Sequence, residues 1–360
     1  MPKFRVGVLG ATGMVGQRFV TLLANHPWFT IGEVAASPRS AGKPYSEAVA
    51  ERWAMESPVP EALRTMTVKD VSADAEAIAS AVDIVFCALD LDKDSIRRIE
   101  EQYASLGVAV ISNNSAHRWT PDVPMLMPEV NPEHVALIDI QRSRRGWDKG
   151  LIAVKPNCSI QSYVSVLTAL QAYGPRRVHV TSMQAISGAG KTFATWPEMN
   201  DTVNPYISGE EEKSEREPLK IWGDVAQQGV TLADDVLIQA TCVRVPVSDG
   251  HMAVVSVAFD RAPTREEFIH AITAYDNPIA QYDLPSAPAK LIQYLPEDDR
   301  PQTRLDRDYE RGMGISVGRL REDALFDWSF ISLSHNTIRG AAGGAILMAE
   351  LLVATGYISE

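Results

Sequence analysis

The sequence predicts an α/β protein in two parts. A parallel sheet covered by helices fills about the first 150 residues, and a largely antiparallel sheet follows. Strand-like and helix-like patterns alternate as far as Gly150, which is the signature of a parallel sheet with both faces covered. Beyond it come adjacent β-type runs with few helices between them, the pattern of an antiparallel sheet. The length of 360 residues, 45% of them hydrophobic and 22% charged, suits two globular domains that each bury a core.

The elements read in order as follows. An apolar run over Phe4–Leu9 ends at Gly10 and gives way to helical spacing at Val15, Phe19, Leu22 and Leu23. Residues 30–36 read as a second strand, 83–89 and 107–112 as two more, with an amphipathic helix over 93–106 between the last two. After Gly150 the pattern predicts a helix over 159–172 and a strand over 177–185. A polar stretch over 187–208 and a highly charged helix over 210–228 come next. Long β-type runs cover 236–245, 252–259, 314–321 and 324–333, and the charged, proline-containing segment 297–310 reads as an exposed loop. The final segment, 340–355, is a helix of small residues (Ala341, Ala342, Gly343, Gly344, Ala345) suited to close packing.

Composition excludes several partners. The net charge of −12, from 46 acidic against 34 basic residues, argues against nucleic acid or an anionic membrane as a general partner. It leaves room for a local positive cluster and a small anionic substrate. Three irregularly spaced cysteines offer neither a disulfide framework nor a zinc ligand set, so no metal is expected. The chain runs straight into a strand and holds no 18-residue apolar stretch, so a cytoplasmic setting without signal peptide or membrane span is expected.

Two segments carry chemistry. Gly10-Ala-Thr-Gly13-Met-Val-Gly16 lies between the first strand and the first helix. Glycines there permit a tight turn and let backbone N–H groups approach a pyrophosphate at the helix start. Glycine is also ordinary turn punctuation, and the position directly after a β-run decides for the phosphate reading. The second strand ends in Ala36-Ser37-Pro38-Arg39-Ser40-Ala41-Gly42-Lys43. Hydroxyls and a guanidinium in place of the usual carboxylate suit a 2′-phosphate, which favours NADP; the plain alternative is an exposed basic loop. Glu33 lies too early to take the acidic role.

Asn157-Cys158-Ser159 follows Pro156 and opens an apolar helix. A cysteine there feels the positive end of the helix dipole, so a lowered pKa and a raised thiolate fraction are expected; the alternative is a buried structural thiol. Cys87 and Cys242 lie within apolar strands, where a thiol behaves as a small core residue. His251, after a strand and a Gly turn, is one candidate base among seven histidines, a surface or capped histidine being the alternative. Arg244, seven residues upstream, could hold a carboxylate bidentately or simply face solvent.

At this point the chain resembles the aspartate-semialdehyde dehydrogenases, particularly their archaeal and fungal branch, over nearly its whole length. Besides the two glycine- and serine-containing segments above, the resemblance rests on Asn113-Asn-Ser-Ala-His-Arg118, Lys155-Pro-Asn-Cys-Ser159 and Gln184-Ala-Ile-Ser-Gly-Ala-Gly190. Gly209-Glu-Glu-Glu-Lys213, Arg244-Val-Pro-Val-Ser-Asp-Gly-His251 and Asn336-Thr-Ile-Arg-Gly340 complete it. The resemblance implies a Rossmann-type, doubly wound NADP-binding domain over 1–155 and 338–360. An inserted α+β catalytic and dimerisation domain with a mostly antiparallel sheet would cover 156–337.

It also implies a phosphorylating, NADP-dependent aldehyde dehydrogenase that interconverts aspartyl 4-phosphate and aspartate semialdehyde in the biosynthesis of lysine, threonine, methionine and isoleucine. Cys158 would form a thioester, His251 would move protons and Gln184 would orient the intermediate. Arg244 would bind the substrate α-carboxylate and Glu210 its amino group, with Arg118, Lys213 and Asn157 holding phosphate. Asn336 would face the nicotinamide carboxamide, although Asn at a helix start is also a natural N-cap. Gly10, Thr12, Gly13, Met14, Val15, Ser37, Arg39, Ser40, Ser187 and Gly188 would complete the cofactor contacts, in a homodimer or homotetramer. The charge run 210–217 has its own alternative as a solvated helix face. Malonyl-CoA reductase and N-acetyl-glutamyl-phosphate reductase share the cysteine logic, but Glu210 points to a free substrate amine and away from both. A nucleotide-binding scaffold without catalysis would be expected to have lost Cys158 or His251, and both remain.

Overall fold

The computed structural model describes residues 3–359 and is built on two six-stranded sheets. In the first, the strands lie in the order Lys69–Asp70, Phe29–Ala36, Phe4–Leu9, Ile84–Cys87, Ala109–Ser112, Leu151–Val154, all parallel. The order reverses between Phe4–Leu9 and Ile84–Cys87, so a crevice opens beyond their carboxyl ends, where such sheets bind ligands. Ile84–Cys87 is buried throughout, as a strand covered on both faces must be. The helix Met14–Leu23 buries Phe19, Val20 and Leu23 on this sheet, and Phe19 stacks on Phe86 with ring centroids 4.8 Å apart.

The turn into that helix demands glycine at two points. Gly10 has φ +86°, and a Cβ on it would lie 2.3 Å from the Ala88 carbonyl oxygen. A Cβ on Gly16 would lie 2.1 Å from the oxygen of Gly10 itself. Strand, turn and helix therefore pack backbone to backbone, which only the missing side chains allow.

The second sheet runs Leu237–Arg244, Pro175–Gln184, His251–Phe259, Trp328–Ser334, Ile315–Glu322, Ile292–Leu295. Its three central pairings are antiparallel and the outermost pairing at each edge is parallel, so the sheet is mixed. Leu237–Arg244 alternates, with Ile238, Ala240, Cys242 and Arg244 buried on one face. The helices Gln161–Ala169 and Glu210–Ile221 pack against the sheet, and Arg265–Thr273 packs its Phe268 against Trp328 and Phe330.

Several boundaries differ from the sequence expectation. The charged helix ends at Ile221, seven residues early, and Gly223 then packs so closely on the Thr231 carbonyl that a side chain there would not fit. The chain turns there into a hairpin, Asp224–Ala226 against Gly229–Thr231. The helix expected over 159–172 begins as a 3₁₀ turn at Cys158–Ile160, continues as Gln161–Ala169 and closes with a second 3₁₀ turn at Gln171–Tyr173. The loop over 297–310 contains the short helix Thr303–Asp306. Buried Asp306 accepts there from Arg300 Nε at 2.7 Å and from the Gln302 N–H at 2.7 Å. The helix Arg265–Thr273 is an addition to the expected elements, and Thr264 and Glu267 form a capping box at its start. Among the described residues no helix is long and apolar enough to cross a membrane.

The chain returns at its end. Ile338–Ala342 forms a π-helical turn and Gly343–Ala354 a helix buried nearly all round, whose Ile346, Leu347 and Leu351 share a core with Val6, Phe19 and Ile84. A Cβ on Gly340 would lie 2.7 Å from Cys158 Cβ, so this segment backs directly onto the Cys158 turn. It is anchored by buried Arg339, which donates to Glu129 Oε1 at 2.7 Å and to the Met313 carbonyl at 2.8 Å. Arg339→Leu would strip Glu129 of its ion-pair partner in the interior, a loss of about 3–5 kcal/mol. A urea melt should show the midpoint fall accordingly; an unchanged midpoint would show that the pair does not hold the segment.

Candidate active site

Two cavities flank the start of the helix Met14–Leu23. The first, about 260 Å³, is lined by Gly10, Thr12, Gly13, Ser37, Arg39 and Ser40, joined by Arg52. No side chain caps the helix, so its first N–H groups remain available to a ligand. A turn closed by the Ser40 N–H on the Ser37 carbonyl, 2.9 Å, buries Ser40 and leaves Ser37 and Arg39 exposed at the rim. Glu33 is held by Lys69 at 2.9 Å, away from any role on a ribose. Arg52 carried no sequence signal, because it comes from a separate loop segment.

The second cavity, about 290 Å³, brings together Val15, Arg118, Asn157, Cys158, Gln184, Ser187, Gly188, Glu210, Lys213, Arg244 and Asn336. Met14 faces a smaller neighbouring cavity with Ser187, Lys191 and Asp249. His251 lines none of these three.

Glu210 is the centre of the second cavity's polar network. Its Oε2 accepts from Asn157 Nδ2 at 2.7 Å and Gln184 Nε2 at 3.1 Å, and its Oε1 from Lys213 Nζ at 2.7 Å. Burial alone would raise the carboxyl's pKa; Lys213 and the two amide donors outweigh it and hold the group below the ordinary carboxylate range. The run 210–217 is thus no simple solvated face. Glu212 and Arg216 do pair at 2.8 Å in solvent, while Glu210, Ser214 and Glu217 point inward.

The Cys158 thiol donates to Asn157 Oδ1 at 3.5 Å. The expected activation by a helix terminus is overturned for the resting site: burial, followed by the nearby Glu210 charge, pushes the thiol up to about 11. A single 3₁₀ turn stands at this point in place of a full α-helical start, and desolvation opposes any charge on sulfur.

His251 opens its strand just behind Gly188. The Ala185 N–H donates to its Nδ1 at 3.1 Å, so the neutral ring carries its proton on Nε2. That Nε2 is buried and has no hydrogen-bond partner among the described residues. Burial, reinforced by the Arg244 charge, pushes the imidazole down to about 3. A Cβ on Gly188 would lie 2.9 Å from His251 Nε2 and 2.8 Å from Arg244 Nη1, so glycine alone lets both approach the loop. Arg244 is fixed by one bond, from Nη1 to the Ala185 carbonyl at 2.8 Å. Asn336 is occupied on both sides, accepting from the Gly250 N–H and donating to Ser187 Oγ, each at 2.8 Å. It ties the loop that carries Ser187 to the one that carries His251.

The chain is similar to known proteins along its length. Residues 5–138 match the semialdehyde dehydrogenase NAD-binding domain, and 167–339 match the semialdehyde dehydrogenase dimerisation domain. An aspartate-semialdehyde dehydrogenase of Archaeoglobus fulgidus is 46% identical over 98% of both chains. The chain belongs to the aspartate-semialdehyde dehydrogenase family. The family's Aspergillus fumigatus member is 43% identical over 99% of both chains. The crystal structure of the Candida albicans member with NADP superposes with a TM-score of 0.88 at 38% identity, covering 99% of this chain and 100% of that one.

The half-buried Cys158 thiol can be probed by alkylation. Inactivation of the free protein by iodoacetamide, followed at Cys158 by mass spectrometry, should quicken about tenfold per pH unit from 7 to 10. A plateau below pH 8 would mean that the thiolate is already formed at rest.

Proposed function

We propose that this protein is an NADP-dependent, phosphorylating aspartate-semialdehyde dehydrogenase that works through a thioester on Cys158. The observation that carries the reading is a nucleophilic thiol in one cavity with an arginine for a carboxylate (Arg244), a carboxylate for an amine (Glu210) and further cations for phosphate (Arg118, Lys213). The cavity also reaches Val15, on the glycine-turn helix.

The residues act in sequence. Arg244 receives the α-carboxylate and Glu210 the ammonium of aspartate semialdehyde, which sets the aldehyde carbon over the sulfur. As the S–C bond forms, the carbonyl oxygen becomes a hydroxyl. The thiol's proton ends on that oxygen, and the His251 Nε2–H steadies it by donating a hydrogen bond as negative charge develops there. Gln184, already fixed on Glu210, lies beside the adduct. Bound NADP would supply the acceptor for the hydride that the adduct carbon loses, while the adduct's hydroxyl proton is released to water and the carbon becomes a thioester. A phosphate oxygen held by Arg118, Lys213 and Asn157 then attacks the thioester carbonyl; the C–S bond breaks and the sulfur leaves with its electron pair. Reduction of aspartyl 4-phosphate, the biosynthetic direction, runs these steps backwards.

The chain fits NADP at its first cavity. Gly10 and Gly16 let strand, turn and helix pack closely, which leaves uncapped helical N–H groups beside the cavity, and Ser37, Arg39 and Arg52 supply hydroxyl and guanidinium donors for a 2′-phosphate. Val15, Ser187, Gly188 and Asn336 line the second cavity for the nicotinamide end, with Met14 beside them. We divide the chain into a cofactor domain, 1–155 with 338–360, and a catalytic domain, 156–337. The packing of the last helix in the first sheet's core supports that division. The same reading has the protein act as a homodimer or homotetramer in the cytoplasm, in the synthesis of the aspartate-derived amino acids. The match of 167–339 to a dimerisation domain supports the association.

Two measurements test it. Cys158→Ala should lose several orders of magnitude in turnover of aspartate semialdehyde with phosphate and NADP, with NADP affinity retained. Retained turnover, or a preference for malonyl-CoA with NADPH, would overturn the mechanism or the substrate. Arg39→Ala should raise KM for NADP about 10- to 100-fold, the value of a charge-assisted contact, and leave KM for NAD alone. An equal loss with both cofactors would place the 2′-phosphate elsewhere.

A further inference from the structure

The helix Glu210–Ile221 carries a second buried carboxylate that the steps above do not use. Glu217 lies two turns beyond Glu210 on the same face and is 1% exposed. Its oxygens serve two different parts of the site. Oε1 accepts from Arg118 Nη1 at 2.8 Å, and Oε2 accepts from the backbone N–H of Asn157, the residue before the nucleophile, at 2.6 Å. Arg118 has two other anchors: Nε donates to the Lys155 carbonyl at 2.9 Å and Nη2 to the Asn113 carbonyl at 3.3 Å. One turn further along the helix, Lys220 donates to the Arg118 carbonyl at 2.6 Å. The helix therefore grips Arg118 by both its side chain and its backbone.

We propose that Glu217 is a positioning residue that keeps the phosphate site weak while it holds the nucleophile turn in place. The inference rests on Arg118 contacting phosphate. An anion arriving at Arg118 finds a carboxylate already there and must share the guanidinium. The position calls for a carboxylate because both partners are donors, and only a carboxylate offers two acceptor oxygens. Glutamine offers one acceptor and one NH₂ group, so one of the two N–H partners would be left facing another donor.

The sign of the effect follows from the remaining anchors. Without the Glu217 charge, the two carbonyls still hold Arg118 at the cavity, now with its full positive charge uncompensated. Phosphate binds more tightly and leaves more slowly when aspartyl phosphate is reduced. The Asn157 N–H loses its partner, and the turn carrying Cys158 loosens. Affinity for phosphate rises as turnover falls. A carboxylate that served the fold alone would lower both.

The test uses Glu217→Gln and Glu217→Ala in the full-length protein, with inorganic phosphate binding measured by calorimetry and turnover in both directions. Each variant should bind phosphate about fivefold or more tightly, through the removed like charge. Turnover in the reductive direction should be about tenfold lower. Glu212→Gln, an exposed carboxylate on the outer face of the same helix, should change neither value. If the first two variants fail to fold, Glu217→Asp keeps the charge and shortens the reach, so turnover should fall with phosphate affinity within twofold of the parent. Phosphate affinity that is equal or weaker in a folded Glu217→Gln or Glu217→Ala variant with normal NADP affinity would overturn the proposal. So would an unchanged turnover. A parent protein without aspartate-semialdehyde activity would instead bring down the reading of the site beneath it.

Discussion

A single buried carboxylate ties together the parts of the second cavity. Glu210 joins the turn before the nucleophile through Asn157, the end of a central strand through Gln184, and its own helix through Lys213. None of these segments adjoins another in sequence. A buried anion is tolerated only where its lone pairs are filled, and three donors fill them here. The helix that begins at Gly209 is thereby fixed in rotation, and its inner face brings Ser214, Glu217 and Lys220 onto the site as well. Ser214 Oγ lies 3.3 Å from Ser159 Oγ, and its carbonyl accepts from Tyr163 OH at 2.7 Å. The same helix thus reaches the nucleophile's own helix at three successive turns.

Much of this was legible in the chain. The glycine turn could be read because its demands are local: close backbone approach and a positive φ leave a fixed residue type at a fixed spacing. The strands of the first sheet could be read because burial on both faces makes them continuously apolar. What escaped was whatever depends on contacts distant in sequence. Glu217 sits in a run of charges that looks like a solvated helix, and only the third dimension separates it from Glu212. The stop at Ile221 was invisible because Gly223 packs closely against a strand residue eight positions on, a contact that the local pattern does not show. Lys155 was read merely as part of a motif. It proves fully buried against Gly344, and burial, with Arg339 nearby, lowers its pKa to about 7.

The place of Cys158 at the start of a turn was legible in the sequence, but its protonation was not. Position at a helix start favours a thiolate, whereas removal from water disfavours any charge, and the second effect wins in the free protein. The same argument disposes of a charged imidazole at His251. Burial thus favours the neutral form of both groups in the free protein, and the proton on the imidazole's outer nitrogen follows from one backbone bond at its inner one. A neutral thiol is also a poor target for adventitious oxidation, since thiolate character governs that chemistry.

The two charges expected on the substrate then act on the two groups in opposite ways. Arg244 depresses the imidazole and also favours the thiolate, while Glu210 does the reverse to each. A carboxylate seated on Arg244 cancels the first influence and makes His251 easier to protonate. An ammonium seated on Glu210 cancels the second and makes Cys158 easier to ionise. A substrate that carries both charges relieves both penalties at once, moving the pair toward thiolate and imidazolium. One that carries only the carboxylate relieves the imidazole and leaves the sulfur facing Glu210. A molecule with both charges leaves each group less hindered on balance, since Glu210 outweighs Arg244 at the sulfur and Arg244 outweighs Glu210 at the imidazole.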